Sequence, residues 1–166
     1  MSVERLIDAL NQLDVIHGTL IELADRKREA LVRNDTTEVS GITNKETKLS
    51  REIEDLLREQ NAATNEFFRA KGFQPTRAIT VTELARMVTD LVQKEALLNA
   101  RDRLAAKVSV LQKKNELNQQ LIEQSLAIIN YSIDLILGPD DEPIYRNPTA
   151  IPPNGLKRSG YFDSKA

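Results

Sequence analysis

From Thr76 to Leu137 the chain runs sixty-two residues without a proline or a glycine, and its character then changes abruptly. Five of its six prolines lie from Pro139 onward, directly behind Gly138. Proline breaks helix interiors and glycine weakens them, so their absence permits very long helices and their arrival ends them. The pattern predicts an all-α chain in two parts, a helical domain over residues 1–138 and a proline-rich tail over 139–166. The tail carries four acidic and four basic residues and few aliphatics. Such a segment cannot form a core and is expected to be disordered and flexible when free.

Apolar periodicity divides the helical part. Leu6, Leu10, Leu13, His17, Leu20, Ala24, Lys27 and Leu31 recur at alternating spacings of 4 and 3, predicting a first helix from about Val3 to Val32 with Ser2 as its N-cap. Asn34-Asp35 makes the turn, and Asp35 with Glu38 has the spacing of a capping box. A second seam, Val39, Ile42, Glu46, Leu49, Ile53, Leu56, Gln60, Ala63 and Phe67, carries a second helix to about Ala70, ended by Gly72-Phe73 and Pro75. Two long helices joined by one tight turn pack as an antiparallel hairpin. Thr80 and Glu83 form another capping box, followed by a stripe of Leu84, Val88, Leu91 and Leu98. That phase fails to continue through Asp102, and the seam resumes as Leu104, Val108 and Leu111. A short third helix before a long fourth one from Leu104 to Leu137 fits best; a single helix with a stutter is the alternative.

Composition narrows the function classes. Aromatics are 4% and Trp is absent, so the core is aliphatic and thin, as in a helical bundle or coiled coil. With 23 basic against 25 acidic residues, no nucleic-acid stripe emerges; Arg26-Lys27-Arg28 and Lys113-Lys114 lie beside Asp25, Glu29 and Glu116. There is no cysteine, which fits a reducing cytosol. Acidic residues interrupt the N-terminus where a signal peptide needs an apolar run. The longest uncharged stretch of the helical part, Gln124–Ile133, is ten residues, against about twenty for a membrane span. A cytoplasmic protein that is not membrane-embedded is expected. His17 is the single histidine, so neither a catalytic triad nor a zinc set is available, and no glycine-rich phosphate loop occurs. The chain reads as no enzyme, with no cofactor or metal. His17 itself reads as a packing residue of the first helix.

The last helix is the most informative segment. Its seam contains two asparagines one turn apart, in Leu111-Gln-Lys-Lys-Asn115-Glu-Leu-Asn118-Gln-Gln-Leu121-Ile122, and beyond Ile122 it is aliphatic on more than one side. A buried amide fixes register or meets another polar group, and surplus apolar surface marks either docking or packing against the first two helices.

These features resemble the FlgN family, flagellar type III export chaperones of the hook-filament junction proteins. The resemblance spans nearly the whole chain. It rests on the N-terminal hairpin with Lys45-Glu46, the Lys71-Gly72-Phe73 loop, the Asn115-x-x-Asn118-x-x-Leu121-Ile122 phrase and the tail segment Pro143-Ile144-Tyr145. The ending Phe162-Asp163-Ser164-Lys165-Ala166 is similar to those of FlgN-like proteins of bacilli. Where the family often follows its tyrosine with glycines, this chain has Arg146-Asn147-Pro148. The resemblance implies that helical C-terminal segments of junction (hook-associated) proteins dock along the last helix, on Leu104, Val108, Leu111, Asn115, Asn118, Leu121, Ile122, Ser125, Leu126, Ile129 and Ile133. It implies that the tail's Tyr145 meets the cytosolic domain of the export gate. A self-assembling coiled-coil scaffold is the alternative, and whether the free chain forms a homodimer stays open.

Overall fold

A computed structural model describes residues 2–138, which form four helices and no strand. They are α1 (Ser2–Val32), α2 (Thr36–Ala70), α3 (Val81–Met87) and α4 (Leu91–Leu137). The expected bounds of the first two hold to within a residue.

Local chemistry sets each boundary. At the end of α1, Asn34 adopts the left-handed conformation (φ 55), and the N–H groups of Asn34 and Asp35 donate to the Leu31 and Ala30 carbonyls. Those bonds satisfy acceptors that the helix end leaves open. Asp35 then caps α2 by accepting from the Glu38 N–H at 2.9 Å. The anticipated capping box is therefore only half made. The Asp35 N–H is already engaged with Ala30, and the Glu38 carboxylate instead accepts from Arg33 at 2.7 Å and Arg26 at 3.3 Å. At the far end of α2, Gly72 (φ 83) allows the same pair of closing bonds, to Arg69 and Phe68. Thr80 and Glu83 complete a full capping box at α3.

The break between α3 and α4 corrects the sequence reading. Two helices do follow residue 80, but the junction is at residues 88–90 and the long helix starts at Leu91 rather than Leu104. Val88 is extended, and Asp90 Oδ1 accepts from the Val92 and Gln93 N–H groups, starting a new helix without proline or glycine. Leu91 accordingly leaves the α3 stripe and stands 78% exposed, while Leu97 is fully buried. From Leu97 the seam continues through Leu104, Leu111, Asn118 and Ser125 at intervals of seven, so no slip occurs inside α4.

Residues Met1–Ser125 form one unit and Leu126–Ala166 a second. In the first, α1 and α2 are antiparallel, with Arg5 paired to Glu59 and Glu66 and Lys27 to Glu46. Helix α4 runs parallel to α1: Arg103 donates to Asn11, Lys107 to Asp14, Lys114 to Asp25 and Asn118 to the Ala24 carbonyl. Gly18 lets the Lys107 ammonium lie close against α1, since a Cβ there would sit 3.3 Å from Nζ. A main core gathers Leu6, Leu10, Phe67, Phe68, Leu84, Val88 and Leu97 from all four helices. Phe67 and Phe68 meet edge to face at 5.6 Å. A second cluster is much thinner, with Leu20, Leu23 and Ile42 supported by half-buried Ile16, Leu49, Ile53 and Leu111. The described part of the second unit is the end of α4, closed by Gly138 (φ 88).

Candidate functional site

Where the second cluster thins, α1, α2 and α4 leave a groove between them. One part, of about 400 Å³, is lined by His17, Leu20, Lys27, Glu46, Ser50, Ile53, Leu111, Asn115, Asn118, Gln119 and Ile122. A more open part of about 600 Å³ on the α1–α4 side shares His17, Leu111, Asn115 and Gln119 and adds Val108, Gln112 and Glu116. Leu20, Ile53, Val108, Leu111 and Ile122 supply aliphatic surface, and the rest is hydroxyl and carboxamide groups, the His17 ring and the charged Lys27, Glu46 and Glu116. A groove with an aliphatic floor and polar edges suits an amphipathic helix laid along it.

In the deeper part the two charged lining residues form an ion pair. Lys27 and Glu46 meet at 2.7 Å with side chains only 16% and 21% exposed. Glu116 accepts a hydrogen bond from Gln112. Asn118 is 4% exposed; its Nδ2 donates to the Ala24 carbonyl at 2.9 Å, and its Oδ1 is buried without a partner. A carboxamide tied to the backbone of the neighbouring helix fixes the register of α4 against α1. His17 Nδ1 lies 2.7 Å from the Leu13 carbonyl of its own helix.

The predicted docking residues of α4 differ in their surroundings. Leu104 packs against the main core and Leu111 against the second, so both contribute to the fold as well as to surface. Val108, Leu111, Asn115, Asn118 and Ile122 line the groove together. Leu121 and Ser125 are half-buried, and Ser125 Oγ donates to the Leu121 carbonyl. In the second unit Leu126 and Ile133 are half-buried and Ile129 is exposed. There Ile128, Leu135 and Ile136 also expose most of their surface, more apolar area than sequence reasoning had singled out. Tyr145 lies outside the described residues.

Nine groove-lining residues fall outside the predicted set, among them Lys27, Glu46 and His17. Lys27 and Glu46 carried a signal, since each is a lone opposite charge at an apolar seam position of facing helices. His17 also occupied a seam position, which made it read as packing.

Among the described residues no helix is long and apolar enough to cross a membrane, and no cluster of acidic, histidine or cysteine side chains fits a metal. The fold defines an all-helical protein with a groove between three of its helices. The family model for FlgN protein matches residues 1–149, and the chain belongs to the FlgN family, the flagellar export chaperones. It is 29% identical to the uncharacterized protein YvyG of Bacillus subtilis (strain 168), over the full length of both chains. No solved structure matches.

Proposed function

We propose that the chain holds helical C-terminal segments of hook-filament junction proteins in the α1–α2–α4 groove, keeps them unassembled in the cytoplasm, and passes them to the export gate. Family membership supplies the general role, flagellar export chaperone. The observation that carries the finer reading is the groove itself, an aliphatic channel on the helix whose Asn115-x-x-Asn118 phrase resembles the family's. Its lining offers a partner no unpaired Lys27 or Glu46 charge, which suits an uncharged helical face. The exposed aliphatics of Leu126–Leu137 are a second candidate surface for the same clients. Leu97 and Leu104 pack in the main core and Asn118 is bonded to α1 of the same chain, which weighs against a scaffold assembled through that seam.

Titration calorimetry against a peptide spanning the C-terminal helix of a junction protein from the same bacterium tests this. Ile122→Asp places a carboxylate in the groove, where each buried aliphatic is worth about 1.5 to 3 kcal/mol and an unpaired charge adds a further penalty. Binding is expected to vanish while circular dichroism stays helical. Undiminished affinity in the folded variant would place the client elsewhere.

A further inference from the structure

Helix α4 is held in two different ways along its length. Near its start Leu97 and Ala100 are buried and Leu104 packs against the main core. Beyond Ala100 its one buried residue is polar, Asn118, and its one contribution to the second cluster is half-buried Leu111. What joins this stretch to α1 is a ladder of polar side chains. Arg103 donates to Asn11 at 2.8 Å, Lys107 to Asp14 at 2.8 Å, Lys114 to Asp25 at 2.5 Å and Asn118 to the Ala24 carbonyl at 2.9 Å. Charge is divided accordingly: α1 turns the cations Arg5 and Lys27 toward glutamates of α2, and Asp14 and Asp25 toward lysines of α4.

Such a ladder is a weak fastening. Side chains as accessible as Lys114 and Asp25, 32% and 42% exposed, gain little from pairing and are screened by salt. The closed seam also buries two acceptor atoms that have no donor, Asp14 Oδ1 and Asn118 Oδ1. Each raises the energy of the closed arrangement, because water would satisfy it once the seam parts. On the other side of the anchor Leu91 and Val92 stand 78% and 77% exposed, so little packing there resists a tilt of the helix. We propose that α4 is a strap. Pivoting on Leu97 and Leu104, its stretch from Lys107 to Asn118 releases from α1 while the hairpin and the main core stay closed, and that release admits the client helix to the groove. No proline or glycine interrupts α4, so the stretch tilts without unwinding. The inference rests on the groove being the client site and adds how that site is reached.

The chain has no cysteine, so pairs of introduced cysteines carry nitroxide labels at chosen sites only. Arg28→Cys with Gln120→Cys spans α1 and α4 at the far end of the ladder, Arg28→Cys with Asn44→Cys spans the hairpin, and Asp8→Cys with Asn99→Cys spans the anchor; all these sites are exposed. Pulsed dipolar electron paramagnetic resonance is recorded at about 0.1 and about 1 M salt, between which the screening length falls from about 10 to about 3 Å. A longer-distance population should grow for the first pair alone. Lys114→Gln and Asp25→Asn break the same ion pair with opposite changes in net charge. Each is expected to raise the open-to-closed ratio by up to about fivefold at the lower salt. Asn118→Leu should lower it, because the orphaned acceptor is gone. Stopped-flow association of a junction-protein C-terminal peptide should speed up in both charge variants in step with the open population. Unchanged distances, equal lengthening of the hairpin pair, or association rates that follow net charge instead of opening would overturn the proposal. Ile122→Asp separates it from the groove reading: peptide binding retained there removes the groove as the client site, whereas binding lost there with unmoved distances removes the strap alone.

Discussion

Lys27 and Glu46 face each other across α1 and α2 with most of both side chains out of water, a position where losing one partner matters more than losing the pair. Lys27→Met is expected to lower stability by about 2 to 3 kcal/mol, and Lys27→Met with Glu46→Leu to recover most of it. Urea unfolding of the three proteins measures both effects, and equal loss in single and double variants would deny the coupling. Glu83 makes a different kind of prediction. Its bond from Arg77, then those from the Thr80 backbone and hydroxyl, lower its pKa from an ordinary 4.5 to about 2. A carboxyl depressed on folding stabilises above its unfolded value, so the α3 cap should be fully effective above about pH 4.5 and be lost as pH falls through about 2. A carboxyl-carbon NMR titration should place the Glu83 midpoint near 2 and show Arg77→Ala raising it. At this scale the Lys27–Glu46 pair was legible as opposite charges on facing seams. The proton position on His17 was not, because it depends on a bond to the backbone that no sequence pattern displays.

Helix boundaries were legible wherever a residue with special backbone freedom marks them. Asn34, Gly72 and Gly138 all sit at positive φ, and each closes a helix where the sequence placed an end. The α3–α4 junction was displaced because its break is made by one carboxylate. Asp90 caps α4 between apolar Val88 and Leu91, so the apolar stripe read straight through it. Asp90→Ala should cost about 1 kcal/mol and speed amide exchange at Val92 and Gln93. Unchanged exchange there would mean that packing of Leu97, not the cap, starts the helix. Gly41 lies inside α2 with open space where a Cβ would go. Gly41→Ala should therefore stabilise by about 0.5 to 1 kcal/mol at unchanged denaturant slope. A loss of stability would mean that the solvent-facing backbone of α2 needs that glycine.

For the whole chain, the hairpin followed from one short turn, whereas the parallel run of α4 beside α1 depended on contacts some ninety residues apart, such as Lys107 with Asp14. Sequence periodicity shows that a face is apolar but not which partner covers it. Leu104 of the predicted docking seam packs against the main core, and the groove opens where the second cluster is too thin to close the three helices together. The tail adds a separate expectation. Tyr145→Ala should leave client affinity intact and weaken association with the cytosolic domain of the export gate, roughly thirtyfold if one aromatic anchor contributes about 2 kcal/mol. Equal loss for both partners would indicate one shared surface. Client placement itself is tested most directly by methyl NMR of the intact chain as a junction-protein C-terminal peptide is added. The groove account predicts that the methyl signals of Leu20, Ile53, Leu111 and Ile122 shift or broaden while those of Leu84, Val88 and Leu97 stay in place. Changes confined to the main core, or at Leu91 and Val92, with the groove methyls unmoved, would contradict it.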